Sequence, residues 1–307
     1  MARRARSGIR LLHSLGVGWA VALLVGLVGL PAAGSAQVVP SATPQVIPLP
    51  AGEVEAVQRE VAPTPFGPGE IMRYKVKLGA FSVGGGHMAV TTVDTVRGRR
   101  AYHAVMHVEG GIPLARVKDT FQTWMDVDDL SSLRFIQDQK EVGTERYMHY
   151  EMYPDSGTWF NNSNQQSGPL FSDNPLDDIS FVYYLRSLDL RVGDVYSFPK
   201  YFKEDGNPVK IIVERIDTVE VPAGEFETIV VRPEIQTKGL FGQGGEAEIH
   251  LTNDERRIVV YLRSKVPIMG SLTLHLTEIN EGIPLNRGLA PPPDDLRVLA
   301  EDDTTAA

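Results

Sequence analysis

Arg186 is the residue in this sequence whose type and position point most clearly to a specific interaction. At about 100° per residue, its side chain projects between Ile179 and Val182, on the apolar arc of a predicted helix. Two interpretations are open. In the first, the stem of Arg186 packs on the core while its guanidinium reaches water or a carboxylate. In the second, the guanidinium is buried and anchors an anionic ligand group. Because burying an unpaired charge is very costly, we expect a partner, and Asp119 is the candidate for a structural ion pair.

Other residues with chemical potential do not form a recognisable catalytic or metal site. His103 and His107 are four residues apart in a strand pattern, which places them about 13 Å apart, too far to share one ion. Asp126, Asp128 and Asp129 lack the glycine and terminal glutamate of an EF-hand loop. The sequence has no G-x-S-x-G elbow and pairs no nucleophile with a base. We therefore predict no catalytic residue, no metal and no cofactor, and an enzyme is the least favoured reading.

Large apolar residues supply the remaining binding candidates. Tyr183 shares the predicted helix with Arg186, and Trp124 lies in a strand pattern. Leu240 and Phe241 stand at the centre of a glycine-rich segment, where they either close over a cavity or partner or tuck back onto the sheet. These five residues are the predicted ligand-binding set, for a lipid, an acyl chain or another apolar small molecule.

Charge limits the partners. The chain has 30 basic and 39 acidic residues, a net charge of -9, and its first 36 residues hold four arginines and no acid. The remainder is therefore more acidic still, which makes it a poor candidate for binding nucleic acid or anionic membranes through general electrostatics. Cysteine is absent, so disulfides, thiol nucleophiles and cysteine metal sites are excluded.

The N-terminus has the form of a secretory signal. A basic start is followed by an apolar run at 17–30 and by small residues at 33–36. Residues 1–36 are predicted to be a cleavable signal peptide that directs the protein to the periplasm, where it is not an integral membrane protein. An uncleaved signal anchor is the alternative.

Composition divides the rest of the chain into three parts. Residues 37–69 are rich in proline and are predicted to be a disordered spacer. Residues 281–307 contain three consecutive prolines and a sparse acidic finish, and they are predicted to be a disordered tail. The span 70–280 is then a single β-rich domain, whose size suits one fold.

Strands dominate this domain. Met72, Tyr74 and Val76 alternate with Arg73 and Lys75, and similar alternation recurs along the span. About twelve antiparallel strands are predicted, which is too many for a flat open sheet. The fold class is therefore all-β: a barrel or half-closed barrel-like sheet that encloses, or is covered by, one helix. An outer-membrane barrel has a similar pattern, but the charged face of the first strand and the helix argue against it.

The helix is predicted at about 174–188. Asn174 is the expected N-cap, and Pro175 suits the first helical position. Ser180 and Ser187 fall on the side opposite the apolar arc, so most of the circumference, but not this side, is expected to be buried. The run Gly84-Gly85-Gly86 lies between strand patterns and predicts a bulge or a tight turn.

Several segments resemble a known family. In chain order they are Glu70–Tyr74, Val117–Phe121, Asp177–Leu188, Val221–Gly224 and Leu251–Asp254. Together they resemble the exported bacterial family catalogued as domain of unknown function 3108, from about residue 70 to residue 280. The resemblance implies a periplasmic, mostly β protein and brings no catalytic residues. It also implies an architecture similar to half-barrel lipoprotein carriers, in which a curved sheet and a helix enclose an apolar cavity.

Two functional hypotheses follow. The first is a non-enzymatic envelope protein that encloses an apolar ligand between sheet and helix. The second is a scaffold for envelope assembly or polysaccharide handling, with a solid core, an envelope protein partner, and exposed faces around Trp124 and Trp159.

Overall fold

The computed structural model describes residues 61–112, 115–141, 144–235, 247–266 and 270–290. These residues form one antiparallel sheet of fourteen strands and one α-helix. The elements in chain order are β1 (Glu70–Leu78), β2 (Phe81–Val96), β3 (Arg99–Ile112), β4 (Ala115–Asp126), β5 (Ser132–Glu141), β6 (Thr144–Tyr153), β7 (Thr158–Asn161), β8 (Gln166–Pro169), α1 (Asp178–Arg186), β9 (Val195–Phe198), β10 (Val209–Val221), β11 (Gly224–Glu234), β12 (Glu248–Thr252), β13 (Val259–Val266) and β14 (Gly270–Asn280).

The sheet is continuous but not closed. Its strand order is β8-β7-β6-β5-β4-β3-β2-β1-β14-β13-β12-β11-β10-β9, so all neighbouring strands are consecutive in the chain except β1 and β14. The four-residue strands β8 and β9 form its edges. The all-β prediction is confirmed in its half-closed form. The strand number was low because edge strands such as β8 are polar and too short to show alternation.

Close approach of β2 and β3 depends on glycine. The pairing of β1 with β2 shifts between Val76 and Lys77, so the glycine run lies beside a bulge, as predicted. A Cβ on Gly84 would lie 2.2 Å from the carbonyl oxygen of Glu109, whereas one on Gly85 would lie 3.4 Å from the nearest atom. Only Gly84 of this pair is therefore required for strand contact.

This difference predicts unequal effects of alanine at the two glycines. Gly84→Ala forces two strand backbones apart, and we expect it to lower the free energy of unfolding by about 1–3 kcal/mol. Gly85→Ala is the matched control and should change it by less than about 1 kcal/mol. Urea denaturation of both variants measures the difference, and equal effects would contradict the assigned packing.

The helix begins later than predicted. Asp177, not Asn174, is the N-cap: its side chain accepts hydrogen bonds from the backbone N–H groups of Ile179 and Ser180. Ser180 completes a capping box with the N–H of Asp177. Leu176 instead forms a bridge with Tyr201, and this strand-like pairing keeps the preceding residues out of the helix.

Burial surrounds α1 on nearly every side. Ser180 and Ser187, predicted to lie on the open side, are 0% and 3% exposed. Of the nine helical residues, only Tyr184 is more than slightly exposed. Ser180 tolerates burial because its hydroxyl serves the capping box, which a helical wheel does not take into account.

Segments outside the predicted domain limits also belong to the fold. Phe66 is fully buried in the core, and Thr64 forms a bridge with Arg287. Leu188, just after the helix, bridges Ala290. The limits at residues 70 and 280 were therefore too narrow, because proline-rich and polar composition says nothing about such single contacts.

The apolar side chains divide between the two faces of the sheet. The main core lies on the face that packs against α1, which we call the inner face. A second cluster of Val96, Ala101, Trp124 and Leu133 lies on the other face, which we call the outer face. Alternation along β4 places Thr123 and Met125 inward and Trp124 outward.

Candidate functional site

A buried ion pair joins the end of α1 to the start of the sheet. Arg186 is 0% exposed, and its Nη1 and Nη2 atoms donate to the two carboxylate oxygens of Glu70 at 2.7 and 2.8 Å. Its Nε atom donates to the carbonyl oxygen of Arg257 at 2.8 Å. This fork geometry is the strongest arrangement available to a guanidinium and a carboxylate.

Aromatic rings complete the surroundings of this pair. The guanidinium carbon lies 5.4 Å from the ring centre of Phe66 and 5.3 Å from that of Tyr183. Burial acts to lower the pKa of Arg186, but the charge of Glu70 and the hydrogen bonds to Glu70 together outweigh burial, so the pKa is raised. Arg186 therefore stays charged, and Glu70 supplies its partner without a ligand.

Asp119 is not the partner of Arg186, and that prediction is wrong. Asp119 lies on β4 opposite Val108, where its Oδ1 atom accepts from the backbone N–H of Lys140. Thr123, four residues further along β4, is the one that reaches the start of the helix, at Asp177. Asp119 is on the same face of β4 as Thr123, but it lies four residues, or about 13 Å, further from the helix along the strand.

Tyr183 stands beside the ion pair. Its side chain is 0% exposed, and its hydroxyl has no hydrogen-bond partner among the described residues. Burial is the main cause that raises its pKa, with the charge of Glu70 adding to it. The structure therefore brings together Tyr183 and Arg186, two of the five predicted ligand-binding residues, but both side chains lie in a packed interior.

The other candidates lie elsewhere. Trp124 is on the outer face, stacked on His103 with ring centres 4.3 Å apart, and its indole N–H donates to Asp94 at 2.9 Å. Trp159 packs edge-on against Tyr150 and Phe202. Leu240 and Phe241 fall outside the described residues.

Two adjacent carboxyl groups are buried at the helix start. Asp177 accepts from the hydroxyls of Thr123 at 2.6 Å and of Ser132, and burial raises its pKa despite these bonds. Asp178 lies within 3.3 Å of the Tyr201 hydroxyl. Burial, and then the charge of Asp177, raise the pKa of Asp178 to about 7.

A row of flexible apolar residues crosses the inner face. Met72, Met88 and Met106 are directly opposite one another on β1, β2 and β3, and each is at most 1% exposed. Phe121 continues the row on β4. On β5 the next residue of the row is the polar Gln137, and the row ends at Met148 on β6.

This methionine row lies beside the helix rather than under its first turn. The neighbouring row toward the helix contains Ala104 and Thr123, and Thr123 is the residue that contacts Asp177. Phe121 and Met148 are only partly buried against the core. Apolar surface thus continues past the helix on the inner face.

A cleft of about 610 Å³ lies near the ion pair. Glu70, Asp189, Arg256, Glu281 and Arg287 contribute to its lining. Arg256 bonds to Asp254 and Glu281, so much of this charge is internally paired. Pro65, Ile258, Ile279 and Leu289 also line the cleft, so its lining is mixed rather than predominantly apolar as in an acyl-chain site.

Metal chemistry has no candidate within the described ranges. There, no group of three or more histidine, aspartate or glutamate side chains stands in a position to hold an ion. None of the helical residues that the structure describes forms a segment long and apolar enough to span a bilayer.

These features define a class of strand-rich protein in which a buried ion pair attaches one helix to an open antiparallel sheet. The chain belongs to the DUF3108 family of proteins of unknown function, whose family model matches residues 73–277. The resemblance drawn from the sequence motifs is thereby confirmed. A search of curated proteins finds no match.

Three solved structures are similar to this chain. A β-barrel-like protein of the DUF1849 family from Brucella abortus has 10% identity and a TM-score of 0.41, covering 72% of this chain and 98% of its own. A protein described as exported, with a YmcC-like fold, from Bacteroides fragilis has 12% identity and a TM-score of 0.24, with 73% and 100% covered. A protein described as a lipoprotein from Parabacteroides distasonis has 9% identity and a TM-score of 0.26, with 71% and 99% covered. At these values none of them says what this chain binds.

Sequence reasoning missed Glu70 and Asp178. Glu70 opens β1 just after a glycine, and a lone acid before an alternating strand looks like a solvated strand end. Asp178 is the first helical residue, and an acid at that position is ordinarily an exposed charge that the helix dipole favours. A signal for Glu70 did exist, because a buried arginine requires some carboxylate, but only the fold could select it from 39 acids.

Proposed function

We propose that this is a non-enzymatic protein of the bacterial cell envelope that holds an apolar ligand, a lipid or acyl chain, against the inner face of its sheet. An arginine-rich start, an apolar run and small residues support export to the periplasm. The family has no assigned activity, and neither it nor the similar structures give any sign of catalysis.

The methionine row carries this proposal. Methionine side chains are unbranched and polarisable, so they adapt to apolar partners of different shape. Three of them side by side, followed by Phe121, form a continuous adaptable strip across four strands. Because the three methionines are at most 1% exposed, a ligand would lie at the end of the strip, where Phe121 and Met148 keep part of their surface uncovered. It would bury apolar area there that the helix leaves open.

A matched pair of substitutions on β6 tests the site. Met148→Gln removes apolar contact on the inner face, whereas Tyr147→Gln changes the next residue, which is 54% exposed on the outer face. Protein purified gently after export should carry lipid detectable by mass spectrometry and should bind a fluorescent fatty acid. We expect Met148→Gln to weaken that binding roughly tenfold, a loss of about 1–1.5 kcal/mol, and Tyr147→Gln to leave it unchanged.

Absence of both co-purified lipid and fatty-acid binding would contradict the proposal. Stable envelope proteins recovered by pull-down from lipid-free protein would then favour the scaffold hypothesis. That hypothesis is weakened at present because Trp124 is only 9% exposed and Trp159 packs against Tyr150 and Phe202, so neither presents an open aromatic face.

A further inference from the structure

Charge is distributed unevenly between the two ends of the sheet. The six neighbouring strands from β4 through β3, β2, β1 and β14 to β13 are joined at one end by three hairpins. Leu78 pairs with Leu272 and Gly84 pairs with Gly110, which places the ends of all six strands together. We call this the hairpin end.

The hairpin end is basic in an otherwise acidic protein. Residues 75–84, 109–111, 116–118 and 263–264 contain five basic residues and one acidic residue, which are Lys75, Lys77, Arg116, Lys118, Arg263 and Glu109. Lys118 is 3.6 Å from Glu109, and Arg263 is 3.0 Å from Glu248. Lys75, Lys77 and Arg116 have no carboxylate partner among the described residues.

The opposite end of the same strands carries charges of both signs. Its carboxylates are Asp94, Asp126, Asp128, Asp129, Asp254, Glu255 and Glu281, and they are interleaved with Arg97, Arg99, Arg100, Arg256 and Arg257. Several of these charges are paired, as Arg99 is with Asp126 and Arg256 is with Asp254. The marked excess of one sign is therefore at the hairpin end.

An uncovered aromatic residue projects from the hairpin end. Phe81 is 77% exposed at the tip of the β1–β2 hairpin, and Leu78 opposite it is partly exposed. An apolar tip set among lysine and arginine is the composition that favours the interface of an anionic bilayer, where the ring enters the headgroup region and the cations meet phosphate.

We propose that the hairpin end docks the protein on phospholipid surfaces that contain anionic headgroups. Charge complementarity selects this partner, because the end that carries Phe81 is the positive one. The chain as a whole is acidic, so it is this local basic surface, and not general membrane attraction, that would hold the protein on the bilayer. This docking does not depend on ligand binding at the methionine row.

Flotation with lipid vesicles tests the docking. Protein purified after export should float with phosphatidylcholine vesicles that contain phosphatidylglycerol, more strongly than with phosphatidylcholine alone, and less so at high salt. The double variant Lys75→Gln/Lys77→Gln should weaken binding roughly 30-fold, and Phe81→Ser should also weaken it markedly. All these positions lie at an exposed hairpin, so circular dichroism should show unchanged folding.

Matched controls separate position from composition. Arg100→Gln/Arg287→Gln removes the same charge from exposed positions outside the hairpin end, and Ile283→Ser removes an apolar side chain that is 79% exposed near the start of β1. Both should bind as the unmodified protein does. No binding to anionic vesicles, or equal losses in the controls and the hairpin variants, would overturn the proposal. Such a result would leave fatty-acid binding by the Met148 site intact, so the two proposals fail separately.

Discussion

Arg186→Met is expected to lower the free energy of unfolding by about 3–5 kcal/mol, because it leaves the Glu70 carboxylate buried without its counter-charge. Glu70→Gln should have a cost of similar size, since Arg186 is fully buried and both of its terminal nitrogens bond to that carboxylate. The loss exceeds that of a surface pair because water cannot replace the missing partner. Urea denaturation of each variant measures it.

The double variant Glu70→Leu/Arg186→Met makes this prediction sharper. Removing both charges leaves no orphan, so the double variant should be far more stable than the sum of the single losses implies, and close to the unmodified protein. Arg73→Met is the matched control on the same strand: Arg73 and Glu278 are 3.6 Å apart with side chains 52% and 60% exposed. Its loss should stay below about 1 kcal/mol. Additive losses at Glu70 and Arg186 would show that the two residues are not energetically coupled.

The contribution of Asp178 to the free energy of unfolding should fall as pH rises from about 4 to about 7, because its carboxyl group is buried. Its folded-state pKa is about 7, whereas the ordinary value is 3.8. Between these values the folded state keeps a proton that the unfolded chain has lost, so raising the pH favours unfolding. A difference of about three pKa units corresponds to roughly 4 kcal/mol, complete near pH 7.

Asp178→Asn removes this dependence, because an amide stays neutral. Relative to the unmodified protein, the variant should gain stability steadily from pH 4 to pH 7 and keep the gain above pH 7. Asp254→Asn is a control of opposite sign. Burial acts to raise the pKa of Asp254, but hydrogen bonds from Arg256 and Thr252 together outweigh burial and lower it, so removing this carboxylate should destabilise the protein at neutral pH. The free energies of unfolding of Asp178→Asn and of the unmodified protein should differ by an amount that depends on pH. A constant difference would contradict the raised pKa of Asp178.

The alternation of apolar and polar residues along the chain was enough to predict the sheet. Alternation such as Met72, Tyr74 and Val76 against Arg73 and Lys75 is a local property, and it is retained because β1 has one dry and one wet face. The glycine run predicted its bulge for the same reason, since absence of a side chain acts on the immediate backbone. Local physics likewise located the helix, to within a turn at each end.

Partners across the fold were not predictable in this way. Glu70 and Arg186 are 116 residues apart, and Asp119 was an equally charged candidate until the pairing of β1 with β14 and the position of α1 were known. The same holds for Trp124, whose face of the sheet depends on strand register, and for Ser180, whose burial depends on what covers the helix.

What the sequence determined by itself was therefore the class of elements, their approximate limits and the family. The tertiary structure alone decided which charges meet, which end of the sheet is positive and where apolar surface stays uncovered. The physical reason is that periodicity and backbone preference act over a few residues, whereas burial and Coulomb energy depend on distances in space that the chain sets only when all fourteen strands are in register.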